Sequence, residues 1–145
     1  MNDANIDRIL ESLLQIMPLF HKRILRMDLG GVTGNLTRLH LAIMGMLSEG
    51  NITVSEMAKT LTMPKSQMSH LIGQLVALGV VERHQDTNDR RVVNLSVTAH
   101  GRVLLDDVKG QVKQHLKSKL ATLAPEELDA MAGALETLKM IGANL

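Results

Sequence analysis

The most concentrated chemistry in this sequence lies in QDTNDRRVVNL, residues 85–95, where Asp89 directly precedes Arg90 and Arg91. A guanidinium group binds phosphate and is attracted to the narrow, strongly negative minor groove of A·T-rich DNA. In an extended segment, residues two apart point the same way, so we expect Asp89 to hydrogen-bond the guanidinium of Arg91 while Arg90 points toward a phosphate. Taken alone, the run would be an ordinary solvated turn. Its neighbours decide between these interpretations.

Two β-branched segments flank the charged run. VVERHQ (80–85) and VVNLSV (92–97) alternate in part, as the strands of a hairpin do, and Asp86 and Asn88 are ordinary turn formers between them. The charged residues are therefore predicted to lie at the tip of a β-hairpin.

Two short helices joined by a tight turn are predicted just before the hairpin. ITVSEMAKTLTM (52–63) forms the first, capped at Ser55 or just before it, and the second runs from about Lys65 to Leu78. Met68, Leu71, Ile72 and Leu75 form the buried face of the second helix, and its other residues are small or hydrogen-bonding with almost no acid. That exposed face comprises Lys65, Ser66, Gln67, Ser69, His70, Gly73 and Gln74. Two such helices followed by a hairpin predict a winged helix-turn-helix, whose second helix is shaped to enter a DNA major groove.

The remaining segments predict further helices. Apolar residues recur every three or four positions from Ile6 to Leu29, and a second, mostly buried helix follows at 36–51. After the hairpin, Thr98 is expected to cap a long helix and Pro125 to begin another. The fold class is therefore mainly α with a small β-hairpin wing. We expect an N-terminal dimerisation helix and linker (1–35), a DNA-binding domain (36–100) and C-terminal dimerisation helices (101–145).

The composition limits the possible function classes. The chain has 145 residues, 45% of them hydrophobic, with ten Met, one Phe and no Trp, Tyr or Cys. Without cysteine it has no disulfide, thiolate zinc site or thiol redox switch, which favours a cytoplasmic location. No apolar run is long enough to span a bilayer, and we expect no membrane association. The net charge is only +1, so any nucleic-acid contact must depend on local positive charge.

The sequence shows little sign of a catalytic site or a metal site. No two of the six histidines are three to five residues apart, the usual spacing of helical metal ligands, so we expect no metal and no cofactor. The hairpin carries acids and a histidine, but a protruding hairpin offers no concave site that excludes water. We therefore expect that the protein is not an enzyme.

The sequence resembles the MarR family of winged-helix transcriptional regulators over nearly its whole length. The resemblance runs through LTRLHLAIMGML, ITVSEMAKTL, PKSQMSHLIGQLVALGVVER, DTNDRRVVNLSVTAHG and LAPEELDAM. Its most specific part is the wing, where an aspartate and an arginine two apart precede a strand that ends in LxxT. The resemblance implies a homodimer with interleaved first and last helices. It also implies a repressor that binds a palindromic operator on double-stranded DNA and releases it when a small-molecule effector binds.

The resemblance also implies roles for individual residues. Ser66, Gln67, Ser69 and His70 fall where the family reads or grips the major groove, Arg91 at its minor-groove arginine and Asp89 at the partner that orients this arginine. With Lys65, Gln74 and Arg90, they form the predicted DNA-binding set. The family's ligand crevice falls near the first two helices, where we expect Met17, Phe20, His21, His40 and Met44 to contact an effector.

The sequence departs from the family at a few positions. His70 replaces the usual arginine, so a strong bidentate contact gives way to one that strengthens only as the pH falls toward ~6.5. Val76 and Leu78 stand where the family favours charge, and we expect them to pack against the wing or the first helices. Two alternatives remain open. One is a winged-helix protein-interaction module that does not bind DNA, and the other is a small enzyme, for which the sequence shows no nucleophile or metal-binding group of residues.

Overall fold

The computed structural model describes residues 3–23, 26 and 29–145. Contacts within the chain cluster into two units. One comprises Asp28–Gly110, and the other combines Met1–Met27 with Gln111–Leu145. We refer to them as the winged-helix unit and the terminal-helix unit and describe each by itself.

The winged-helix unit contains short helices around a small sheet. Its helices are α2 (Gly30–Thr33), α3 (Arg38–Ser48), α4 (Val54–Thr60), α5 (Lys65–Ala77) and the first half of α6 (Ala99–Leu120), and its strands are β1 (Ile52–Thr53), β2 (Val81–Gln85) and β3 (Val93–Val97). The helix-turn-helix and the hairpin predicted from the sequence are confirmed. One-turn α2 was not predicted: the carbonyl of Leu29 accepts hydrogen bonds from the amides of Val32 and Thr33, so this breaker-rich segment closes one helical turn.

The sheet has a third strand that the sequence did not predict. The strand order is β1-β3-β2, both pairings are antiparallel, and Arg83 is opposite Leu95 in the β2–β3 pair. The segment predicted as the first short helix began at Ile52, but Ile52 and Thr53 form β1; the cap predicted at Ser55 or just before it is Thr53. Thr53 has extended backbone angles (φ −79°, ψ 158°) and its side chain accepts from the amide of Glu56, so it is at once the end of β1 and the N-cap of α4.

Aliphatic and methionine side chains fill the core of the winged-helix unit. Met68, Ile72 and Leu75 of α5 are fully buried, whereas Leu71 is only partly buried. The other fully buried large side chains are Ile43, Met44, Met57, Val80, Val81 and Leu95. Helix α5 is therefore held by its apolar face, which leaves its polar face to solvent.

A close approach joins the start of α6 to the sheet. The hydroxyl of Thr98 accepts from the amide of Gly101 at 3.1 Å, which confirms the predicted cap. A Cβ added to Gly101 would lie 2.2 Å from the carbonyl oxygen of Val80 and 2.7 Å from Cγ1 of Val97. Only glycine therefore fits where α6 leaves the hairpin.

The terminal-helix unit contains α1 (Asp3–Arg23), the second half of α6, and α7 (Pro125–Gly142), with Pro125 at the start of α7 as predicted. The sequence predicted that the first helix reaches Leu29, but Arg26 and Leu29 lie outside it, and Ile24 and Met27 are not among the described residues. No side chain of α1 or α7 is buried in the single chain. Many large apolar side chains of α1 are instead exposed, including Ile6, Ile9, Leu10, Leu13, Met17 and Phe20.

The fold class predicted from the sequence, mainly helical with a small antiparallel sheet, is confirmed. Within the described residues, no helix combines the length and the apolar character that a membrane span requires.

Candidate nucleic-acid interface

The outer face of α5 is polar and free of acidic side chains. Lys65, Ser66, Gln67, His70 and Gln74 are exposed, and Ser69 and Gly73 are partly exposed. This face was predicted from the sequence, and the buried side chains behind it fix its direction. Val76 and Leu78 were expected to pack, which was wrong: they are 36% and 50% exposed near the C-terminal end of the helix.

The ends of α4 and α5 use the same hydrogen-bond pattern. After α4, the amide of Met63 donates to the carbonyl of Ala58 and the amide of Thr62 to that of Lys59. After α5, the amides of Val80 and Gly79 make the corresponding bonds to Leu75 and Val76. Both are Schellman motifs, in which one residue takes left-handed backbone angles. That residue is Thr62 (φ 50°) between the two helices and Gly79 (φ 71°) before the wing.

The tip of the wing is a hydrogen-bonded turn. The amide of Val92 donates to the carbonyl of Asp89 at 3.0 Å, so Arg90 and Arg91 occupy the two central positions. Oδ1 of Asp89 accepts from the backbone amide of Arg91 at 3.0 Å and from its Nε at 3.3 Å. The predicted contact between Asp89 and Arg91 is therefore present. The predicted extended backbone was wrong, because the aspartate side chain itself closes the turn.

Further hydrogen bonds stabilise the rest of the loop between β2 and β3. Oδ1 of Asp86 accepts from the amide of Asn88 at 2.8 Å, and the amide of Asp86 donates to the carbonyl of Val92. The side chain of Gln85 donates to the carbonyl of Arg90 at 3.3 Å. The arginine side chains nevertheless remain in solvent, and that of Arg91 is 93% exposed. The backbone of the tip is thus held while its guanidinium groups stay accessible.

Arg83 of β2 also belongs to this surface, although it was not predicted from the sequence. Its Nη2 donates to the carbonyl oxygen of Ser69 on α5 at 3.3 Å. A Cβ on Gly73 would lie 3.8 Å from the same nitrogen, an ordinary contact distance, so the guanidinium lies directly beside this part of α5. Strand alternation could have revealed the contact, because Arg83 is two residues after the buried Val81 and faces the same side of the sheet.

A groove of about 490 Å³ lies between α5 and the wing. Lys65, Arg83 and Arg91 line it with Ser69, beside residues of α4 and β3. The acid in its lining, Glu56, accepts a hydrogen bond from the amide of Thr53 at 3.2 Å as part of the capping box of α4. The basic side chains give the groove a net positive charge, which suits a phosphate backbone.

His40 of α3 contacts Gln74, a residue of the polar face of α5. His40 lies on α3 and is 6% exposed, and its Nε2 is 2.9 Å from Oε1 of Gln74. Its Nδ1 accepts from the backbone amide of Thr37 at 3.0 Å, within the capping box of α3. The structure therefore joins a residue predicted to contact an effector to one predicted to contact DNA.

The other residues predicted to contact an effector differ in accessibility. Met44 is fully buried in the core of the winged-helix unit. Met17, Phe20 and His21 lie on α1 in the terminal-helix unit, and their side chains are exposed.

A histidine, a serine and a carboxylate do meet on the hairpin. Nε2 of His84 lies 2.9 Å from Oγ of Ser96 and 3.3 Å from Oε1 of Glu82. A catalytic serine arrangement uses both ring nitrogens, one for the hydroxyl and one for the carboxylate. Here a single nitrogen makes both contacts on an open surface, which does not suit nucleophilic catalysis. Within the described ranges, no group of three or more histidine or acidic side chains could hold a metal ion.

Comparisons with known sequences agree with this geometry. A model of the MarR family matches residues 34–92, which include the helix-turn-helix and the tip of the wing. The HTH-type transcriptional repressor MdtR of Bacillus subtilis (strain 168) is 28% identical over 94 residues, which are 64% of this chain and 61% of MdtR. The chain thus spans less than two thirds of the length of this curated relative.

Solved structures share the fold over almost the whole chain. The transcriptional regulator BldR from Sulfolobus solfataricus has a TM-score of 0.67 at 25% identity and covers 97% of this chain and 98% of its own. Streptococcus pneumoniae FabT, solved in complex with DNA, has a TM-score of 0.65 at 22% identity, covering 96% and 98%. The likeness therefore includes the terminal helices as well as the winged helix.

Proposed function

We propose that this chain, whose residues 34–92 match a model of the MarR family, is a transcriptional repressor that binds a palindromic operator as a homodimer. The observation that carries the proposal is the pairing of an acid-free helix face with a wing arginine whose Nε is 3.3 Å from Asp89. The curated relative is itself a transcriptional repressor. The protein would act in the cytoplasm, as a regulator rather than an enzyme.

Each polar group of the interface has a DNA chemistry that suits it. Helix α5 would enter the major groove, where Gln67, Ser69 and His70 can hydrogen-bond base edges. Lys65 and Arg90 would bind phosphates, which supply affinity but little sequence information. Arg91, held by Asp89, would enter the adjacent minor groove and respond to its width.

The exposed apolar side chains of the terminal helices support the homodimer. A helix that is apolar along one stripe must bury that stripe, and in the single chain Ile6, Leu10 and Leu13 remain between 44% and 51% exposed. A second copy would cover them with its own equivalent helices, as a twofold interface requires. Two winged helices related by a twofold axis would then face half-sites about one helical turn, ~10 base pairs, apart.

The residues expected to contact an effector belong to both units. The exposed side chains of Met17, Phe20 and His21 are accessible to a small molecule. Met44 and His40 are buried in the winged-helix unit, so an effector that contacts either of them requires the core of that unit to open. Flexible Met side chains adapt well to ligands of irregular shape.

Selection of DNA from a random pool with the purified chain tests the proposal. We expect enrichment of one palindrome, with binding that weakens steeply as salt rises. A Gln67→Ala variant should bind DNA with a similar salt dependence but enrich a less defined sequence, whereas Gln111→Ala, which removes an exposed glutamine of α6, should select the same palindrome. If neither the parent nor the control enriches any sequence, the protein-interaction module becomes the better explanation. Repeating the binding with candidate metabolites and metal ions then identifies an effector.

A further inference from the structure

The hydrogen-bond partners of His40 indicate which of its two ring nitrogens carries the hydrogen. Nδ1 lies 3.0 Å from the backbone nitrogen of Thr37, which can only donate, and 3.0 Å from the Thr37 hydroxyl oxygen, which can donate or accept and so fits either tautomer. Nδ1 must therefore be the unprotonated nitrogen, which accepts. The neutral ring then carries its hydrogen on Nε2 and donates it to the oxygen it faces, Oε1 of Gln74, at 2.9 Å.

This arrangement fixes which end of the Gln74 amide is presented. A glutamine amide has an acceptor oxygen at one end and a donor NH₂ group at the other. His40 occupies the oxygen, and Gln74 is exposed, so the NH₂ group is the end directed to solvent. A histidine of the other tautomer would require the opposite amide orientation.

Gln74 shares its helix face with the residues proposed to read DNA. It follows Gln67 by seven residues and His70 by four, spacings that place side chains on one side of a helix. An NH₂ group at this position can donate to a phosphate oxygen, to N7 of a purine or to O6 of guanine, and cannot accept from an adenine or cytosine amino group.

We propose that His40 is a positioning residue, which acts through Gln74 to present an amide donor to DNA beyond the contacts of Gln67 and His70. The proposal rests on the proposed function for its ligand, DNA. It also gives His40 a role unlike the effector contact predicted from the sequence. The buried ring bonds both to the capping box of α3 and to Gln74 of α5. The start of α3 and the DNA-facing amide are therefore linked through one side chain.

Two substitutions separate this role from the structural role of the cap. In His40→Asn the amide oxygen can replace Nδ1 and keep the bond from Thr37, but no donor reaches Gln74. In His40→Gln the longer amide can replace Nε2 and keep the bond to Gln74, while the bond from Thr37 is lost. A purely structural histidine would make His40→Gln the less favourable change. A positioning histidine makes His40→Asn the one that impairs DNA binding.

The test measures affinity for the DNA sequence that the parent protein selects from a random pool. We expect His40→Asn to bind it roughly three- to tenfold more weakly, as the loss of one hydrogen bond implies, and His40→Gln to remain within about twofold of the parent. Gln74→Met should show the same loss as His40→Asn, and adding His40→Asn to Gln74→Met should weaken binding no further. Gln111→Met controls for loss of an exposed glutamine elsewhere.

Several outcomes would overturn the proposal. Parent-like affinity of Gln74→Met does so whatever the His40 variants do, and so does a loss from His40→Asn that persists in full in the Gln74→Met background. Nitrogen-15 spectra of the DNA-free protein give a second measurement: an Nε2-protonated neutral ring is expected, and an Nδ1-protonated ring contradicts the assignment. These spectra remain interpretable even if the parent selects no DNA, an outcome that would instead refute the proposed function.

Discussion

The winged-helix unit and the terminal-helix unit use similar apolar residues with opposite results. Every buried side chain among the described residues lies in Asp28–Gly110, where α3, α4, α5 and the sheet enclose one another. In the terminal-helix unit, Leu138 and Met140 of α7 are 57% and 64% exposed, as are many residues of α1 to a similar degree. Both units therefore contain many large apolar side chains, but only the winged-helix unit buries them within a single chain.

This contrast shows that the winged-helix unit can bury its apolar side chains within one chain, whereas the terminal-helix unit needs a partner. A helix pair and a three-stranded sheet offer several faces that can close around one centre, whereas long helices with single apolar stripes need partners of equal length. The winged-helix unit should consequently keep its structure irrespective of protein concentration. The terminal-helix unit should depend on association, so its stability should change with concentration.

The largest expected effect comes from placing a charge on the apolar stripe of α1. Leu13 is 44% exposed in the single chain, so loss of its apolar contact from both chains of a twofold dimer costs about 1–3 kcal/mol. Burying an unpaired ammonium group in each chain costs several kcal/mol more. Light scattering at micromolar concentration should change from a dimer to a monomer. Gln15→Lys adds the same charge on the opposite side of α1 and should leave the dimer intact. A Leu13→Lys protein that remains dimeric would show that this stripe is not the interface.

A cavity in the winged-helix unit should have the next largest effect. Leu75 is fully buried, so Leu75→Ala should lower the free energy of unfolding of this unit by about 2–5 kcal/mol at any protein concentration. Because the chain has no Trp or Tyr, urea unfolding is best followed by far-ultraviolet circular dichroism and by hydrogen exchange of the strand amides. Leu138→Ala, an exposed leucine of α7, should alter exchange in the strands by less than about 0.5 kcal/mol. Equal effects would mean that the two units do not differ as described.

Features with strong local signals could be predicted from the sequence. The polar face of α5 follows from the spacing of Met68, Ile72 and Leu75, and the hairpin follows from two β-branched segments around a turn. The contact of Asp89 with Arg91 could also be predicted because it spans two residues. Its backbone could not, since an aspartate at the start of the turn competes with extended pairing by accepting from the backbone.

Features that depend on the tertiary fold could not be predicted. Strand β1 has two residues and exists only by pairing with β3, more than forty positions along the chain. Arg83 and Ser69 are 14 residues apart, and His40 and Gln74 are 34 apart. Nothing in the local pattern around His40 distinguishes a buried ring that orients a glutamine from an exposed ring that contacts a ligand.

Arg91 offers a change that should disturb neither unit. Its side chain is 93% exposed, so Arg91→Ala should leave folding and dimerisation unchanged while weakening operator binding by about 1–3 kcal/mol, the general scale of a specific arginine contact. Binding titrations at several salt concentrations should also give a smaller salt slope. Arg102→Ala removes an exposed arginine on α6 and is the matched control. If Arg91→Ala keeps the affinity and salt slope of the parent, the minor-groove role of the wing is wrong.

The smallest expected effects lie at the two helix ends of the winged-helix unit that share one motif. Gly79 has φ 71° and open space where a Cβ would lie, so Gly79→Ala introduces only backbone strain and should lower stability by about 1–2 kcal/mol. Thr62 already bears such strain at φ 50°, and Thr62→Gly relieves it while adding the entropy cost of glycine, so a net change within about 1 kcal/mol is expected. Unfolding measured at two protein concentrations should give the same differences, because both residues act within a unit that is complete in one chain. A difference that grows on dilution would mean that the winged-helix unit, too, depends on its partner.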